Sequence, residues 1–135
     1  MPESLSVLLI DDDPTNNFLT ERLFERLGVA DQVLVTESGQ DALDLLAAPD
    51  APVPSLVLLD LNMPGLSGAE FLAEYRQRRE GSPPVVVVLT TSTNPTDITL
   101  VKQLRIDGLV NKPLTEDKLQ HLLRLHFPDL YPEAE

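Results

Sequence analysis

Leu56-Val57-Leu58-Leu59-Asp60-Leu61-Asn62-Met63-Pro64-Gly65 decides how the rest of this chain is read. Four apolar residues lead into one carboxylate, after which Asn62, Pro64 and Gly65 break the pattern. A continuous apolar run bounded by turn formers predicts a strand buried on both faces. Asp60 then falls at the C-terminal tip of a central strand, where an open α/β sheet places its ligands. An Asp that merely opens a turn or caps the next segment accounts for the same position. Taken alone, the stretch does not choose between the two.

Outward from it, the same grammar repeats. Leu5 to Ile10 is a second buried-strand run, ending in Asp11-Asp12-Asp13-Pro14. Pro14 suits the first position of a helix, which makes Asp13 its N-cap. Phe18, Leu19, Leu23, Phe24 and Leu27 recur at helical spacing, and Gly28 ends the helix. Gln32 to Thr36 predicts a short strand, and Ser38 caps a helix carrying Ala42, Leu43, Leu45 and Leu46. The stretch from Pro49 to Pro54 is a loop, too short for a domain linker. Beyond Asp60, Ser67 caps a helix with Phe71, Leu72 and Tyr75. Val85 to Thr90 is the most strand-like run in the chain. Asn94-Pro95 starts a helix bearing Ile98, Val101 and Leu104. Leu109-Val110 is a last short strand before Lys112-Pro113, and a final helix turns Leu119, Leu122 and Leu123 inward.

Strand and helix thus alternate five times with short connections. This argues a parallel sheet with helices on both faces and right-handed crossovers. With 135 residues, one domain with a two-sided core is expected. We place it over residues 1–126, with 127–135 as a tail that either frays or docks Phe127, Leu130 and Tyr131. There is no cysteine, which excludes disulfides, thiolate metal sites and thiol nucleophiles. No apolar run approaches the ~18 residues of a membrane span, and the start lacks a signal-peptide pattern. A cytoplasmic protein is expected. The net charge of −12 repels phosphate backbones and anionic lipids, which argues against nucleic-acid or membrane binding.

In a parallel sheet every C-terminal strand end lies along one edge. If the first and third strands are neighbours, Asp11, Asp12 and Asp60 face one another. Two like charges about 4 Å apart repel by roughly 4 kcal/mol at an effective dielectric near 20. A divalent cation is the simplest compensation, and hard oxygen ligands that leave room for water and phosphate suit Mg²⁺. A solvated helix start explains Asp13, but not why the third strand also ends in Asp. The fourth strand ends in Thr90-Thr91-Ser92, able to bond phosphoryl oxygens, and the fifth in Lys112, a point charge suited to an anion.

These residues together resemble the response-regulator receiver domain of two-component signalling, of the stand-alone, chemotaxis-regulator-like type. The resemblance covers about Leu5 to Leu125. It rests on Asp11-Asp12, on Asp60 in Leu-Asp-Leu-Asn-Met-Pro-Gly, on Thr90 and on Lys112-Pro113, all in the family's order. It implies a flavodoxin-like, doubly wound, five-stranded sheet of order 2-1-3-4-5, an order taken from the family and not from spacing. It further implies that Asp60 accepts phosphate from a histidine kinase or phosphotransfer protein. Asp12 and Asp60 would ligate Mg²⁺, with the Asn62 backbone carbonyl a further ligand and Asp11 acting through water. Thr90, Thr91 and Lys112 would bind the phosphoryl group, Lys112-Pro113 would be cis, and Asn62 and Ser92 would tune acyl-phosphate lifetime. Catalysis would extend only to the protein's own phosphorylation and dephosphorylation. A downstream protein would dock on the face of the fourth predicted helix, last strand and final helix, with the receiver a monomer or weak dimer.

Two positions depart from the family. Leu109 occupies a place where many receivers carry an aromatic rotameric switch. Thr91 stands where a smaller residue is usual, and its β-branch would slow entry of phosphodonors. His121 and His126, on or just after the final helix, lack acid spacing for a metal site and read as surface residues. Two rival functions remain: a receiver-fold scaffold that binds partners regardless of phosphate, and a Mg²⁺-dependent phosphohydrolase with a strand-end Asp nucleophile. The second commonly has another acid two residues on, where this chain has Asn62.

Overall fold

The apolar runs form the five strands of one parallel sheet: β1 (Leu5–Ile10), β2 (Ala30–Thr36), β3 (Leu56–Asp60), β4 (Val85–Thr90) and β5 (Gly108–Asn111). The structure, a computed structural model, describes residues 5–51, 53–61, 65, 68–78, 83–90, 103 and 105–128. Among these lie four helices: α1 (Pro14–Leu27), α2 (Gly39–Ala47), α3 (Gly68–Arg78) and α4 (Glu116–His126). The expected Ser67 cap, the helix after Asn94-Pro95, and Leu130 and Tyr131 of the tail lie outside the described residues.

The sheet has the order β2-β1-β3-β4-β5. All four ladders are parallel. The order reverses between β1 and β3, which opens a crevice beyond their C-terminal ends. β3 has a neighbour on each side and is buried at every residue, so both faces of the strand can be apolar without alternation.

Strand period two divides the core. Val7, Leu9, Leu56, Leu58, Val87 and Leu89 point to one face, where Phe24 of α1 and Leu119, Leu122 and Leu123 of α4 cover them. Leu8, Ile10, Val57, Leu59 and Val86 point to the other, beneath Ala42 and Leu43 of α2 and Phe71, Leu72 and Tyr75 of α3. Phe127 packs at the margin of the first cluster.

The helix ends follow from local chemistry. Asp13 Oδ1 accepts from the Thr15 and Asn16 amides at 3.0 and 3.3 Å, relieving two unpaired donors at the start of α1. Gly28 closes it at φ +65° with its N–H on the Phe24 carbonyl, a left-handed conformation that costs glycine little. Ser38 and Thr115 cap α2 and α4 through the Asp41 and Lys118 amides.

Two expectations need correction. Phe18 and Leu19 are 56% and 53% exposed; the inner face near the start of α1 is formed by Asn17 and Thr20, continuing to Phe24. The polar pair is buried there because Asn17 Nδ2 donates to the Asp11 carbonyl at 2.8 Å. β2 begins at Ala30, two residues before the expected start, because edge pairing with β1 needs only backbone groups, with a register shift between Leu5 and Ser6.

Candidate functional site

Strand register assembles the acidic edge. Ile10 pairs with Leu59, so the next residue of each strand, Asp11 and Asp60, stand side by side. Asp60 pairs with Leu89, which puts Thr90 one step further along the same edge. Thr90 in turn pairs with Asn111, and the Lys112 amide donates to the Thr90 carbonyl at 2.9 Å. The tips of β1, β3, β4 and β5 thereby deliver two acids, a hydroxyl and an amine to one crevice.

Asp11 is fully buried, Asp60 and Thr90 nearly so, and Asp12 is exposed. The Lys112 ammonium lies 2.8 Å from Asp11 Oδ2 and 3.5 Å from Asp60 Oδ2. Burial pulls the Lys112 pKa down, but the hydrogen bond and charge of Asp11, joined by those of Asp60, outweigh it and leave the amine above the usual 10.5. Lys112 is therefore a cation at neutral pH. Asp11 is held from three further directions: its Oδ1 accepts from the Asp13 amide at 3.0 Å, its Oδ2 from Asn16 Nδ2 at 2.8 Å, and its carbonyl from Asn17 Nδ2. The Lys112-Pro113 peptide bond is cis.

One carboxylate oxygen from each of Asp11, Asp12 and Asp60 lies within 4.8 Å of the others. Three carboxylates against one ammonium leave negative charge uncompensated, and the donors are hard oxygens. That set fits a small divalent cation, which favours oxygen ligands and keeps several waters.

Of the other expected site residues, Asn62, Thr91 and Ser92 lie outside the described residues. Leu109 sits on β5 with 45% of its surface exposed. His121 and His126 both belong to α4; the first is exposed and the second partly buried. The sequence reading missed three supporting residues. Asn16 and Asn17 hold Asp11, and the available signal was polar residues three and four positions after a helix cap. Gly68 is the third: a Cβ there would meet the Asp60 carbonyl oxygen at 2.6 Å and Leu61 Cα at 3.0 Å, so only glycine lets α3 approach the tip of β3.

A separate groove of about 480 Å³ runs between β5 and α4, lined by Leu109, Asn111, Lys118, His121 and Leu125 among others. Asp11, Asp12, Asp60 and Lys112 are not among the residues that line it. Among the described residues no helix is long and apolar enough to cross a membrane.

Comparison with known proteins agrees with this geometry. The family model "Response regulator receiver domain" matches residues 7–124. The chain is 32% identical over 117 residues to "Probable methanogenesis regulatory protein FilR2" of Methanothrix harundinacea, covering 84% of this chain and 76% of that protein. It is 36% identical over 112 residues to "Ethylene receptor 2" of Oryza sativa, where it spans 14% of the longer protein. "Response regulator Rcp1" of Synechocystis is 30% identical over 110 residues, 78% of this chain and 75% of Rcp1. The structure of the Mn²⁺-bound form of Rcp1 superposes with a TM-score of 0.71 at 26% identity, covering 97% of each chain. The chain belongs to the response-regulator receiver domains, the phosphorylation-accepting modules of two-component signalling.

Proposed function

We propose that Asp60 is the phosphoacceptor, with Mg²⁺ as the metal and a histidine kinase or phosphotransfer protein as the donor. The observation that carries this reading is the Lys112 ammonium shared by Asp11 and Asp60 at 2.8 and 3.5 Å, beside a three-carboxylate cluster. A carboxylate is a weak nucleophile, but it is ionised at neutral pH and needs no base. An Asp60 oxygen attacks phosphorus, the P–N bond to the donor imidazole breaks, and the imidazole leaves as the acyl phosphate forms. Asp12 and Asp60 would hold the metal directly, with the Asn62 carbonyl as a third ligand. Both oxygens of Asp11 are already engaged, which suits contact through water. Bound Mg²⁺ would neutralise charge on the transferring oxygens. Lys112 turns from Asp60 to a phosphoryl oxygen, and Thr90 bonds another; positioning accounts for most of the remaining rate. Asn62 and Ser92 tune the lifetime of the product.

The groove between β5 and α4 supports a partner-docking face there, with Leu109 supplying exposed apolar area in place of an aromatic switch. Incubation with Mg²⁺ and acetyl phosphate separates this account from its rivals. A receiver accumulates one acid-labile acyl phosphate on Asp60 and changes its partner affinity. A phosphohydrolase turns over substrate without accumulating it, and a phosphate-independent scaffold does neither. Either of the last two results refutes the proposal.

A further inference from the structure

Lys118 is the third residue of α4 after the N-cap Thr115. That position adjoins the positive end of the helix dipole, where acids are favoured and cations are not. After a threonine cap it is also where Glu or Gln would complete a reciprocal capping pair. Glu116 and Asp117 obey the preference; Lys118 does not. Its ammonium reaches back over the start of the helix and donates to the Asn111 carbonyl at 2.9 Å and the Pro113 carbonyl at 3.1 Å. Those carbonyls flank Lys112, the cation that touches Asp11 and Asp60. A residue placed against its local preference and held by two charge-assisted bonds points to a role outside the helix.

We propose that Lys118 is a positioning residue: it fixes the backbone on both sides of Lys112 and so sets the reach of the Lys112 amine toward a phosphoryl group on Asp60. Lys118 touches none of the reacting atoms; it acts through the β5–α4 loop. The inference rests on Asp60 being the acceptor, so the test has two arms.

In the first arm, acyl-phosphate formation from acetyl phosphate and Mg²⁺ is timed in wild type, Lys118→Met and Lys118→Arg. Misplacement of a positioning group by about an ångström costs up to about a hundredfold in rate. We expect Lys118→Met to slow formation by about tenfold without changing Mg²⁺ affinity, and Lys118→Arg, which keeps the donors, to recover it. In the second arm, amide hydrogen exchange reads the Lys112 N–H, which donates to Thr90. Its exchange should quicken in Lys118→Met, return to wild type in Lys118→Arg, and leave the amides of β1 and β3 unaffected. A Met variant matching wild type in either arm, or an Arg variant as slow as Met, overturns the proposal. A wild type that takes up no phosphoryl group refutes Asp60 as acceptor and leaves the exchange arm to decide the role of Lys118.

Discussion

Lys112→Met removes one cation from between two buried acids, and its cost can be worked from the structure. At an effective dielectric near 20, separations of 2.8 and 3.5 Å correspond to gross attractions of about 6 and 5 kcal/mol. Desolvation of all three groups offsets much of this. Removing one partner of a fully buried pair leaves a net loss of about 3–5 kcal/mol. Lys112 retains 14% of its side-chain exposure, so water relieves part of the loss and about 2–4 kcal/mol remains. A divalent cation can take over the ammonium's electrostatic role. The deficit should thus appear in full in a chelator and shrink as Mg²⁺ saturates the folded state. The same reasoning makes Mg²⁺ bind more tightly to the variant, because the competing ammonium is gone. Urea unfolding followed by far-ultraviolet circular dichroism, with EDTA and across a Mg²⁺ series, measures both effects. Equal stability of variant and wild type in EDTA would refute the reasoning, as would weaker Mg²⁺ binding by the variant.

Four further outcomes follow from particular contacts. Gly68→Ala forces a Cβ against the Asp60 carbonyl and Leu61 Cα, and should cost about 1–3 kcal/mol by urea midpoint while slowing phosphorylation. Phe71→Ala removes a fully buried ring stacked on Tyr75 and should cost about 3–5 kcal/mol in the same assay. Asp12→Asn removes an exposed acid from the carboxylate cluster; metal-free stability should not fall, while calorimetric Mg²⁺ affinity drops by about tenfold or more. The fourth concerns pH: burial lowers the Lys112 pKa, but Asp11 and Asp60 raise it further, to above 10.5. A raised folded-state pKa stabilises fully below the unfolded value and loses that contribution as pH rises through the folded one. The stability gap between wild type and Lys112→Met in EDTA should therefore hold constant from neutral pH up to about pH 9.5 and narrow on more alkaline titration.

Most of the fold was legible because several levels of the sequence agree. Asp13-Pro14 and Gly28 bound α1, and the runs Val7 to Ile10 of β1 and Leu56 to Leu59 of β3 are apolar without alternation because helices cover both of their faces. The acids were legible as strand ends, since register alone sets Asp11 beside Asp60. The strand order was not: it came from family resemblance, because spacing does not choose which strands are neighbours. Phe18 and Leu19 misled because apolar spacing on a helix does not tell which turn reaches the core. Asn17 and Thr20 won those places, Asn17 by bonding the backbone behind Asp11. Gly68 carries no signal of its own, and Lys118 shows only as a cation at the start of a helix, which does not say what it reaches. One matters through the side chain it lacks, the other through carbonyls five and seven residues upstream.

The central claim is that Asp60, its neighbouring acids and Lys112 act as one metal-dependent phosphoryl pocket. Fluorine NMR of the protein with beryllofluoride tests it most directly, because this phosphoryl mimic needs the carboxylate and the metal and is held further by the lysine. We predict bound-fluoride signals that require Mg²⁺, vanish in Asp60→Asn and weaken in Lys112→Met. Signals that persist in Asp60→Asn, or none from wild type at saturating Mg²⁺, would contradict the account.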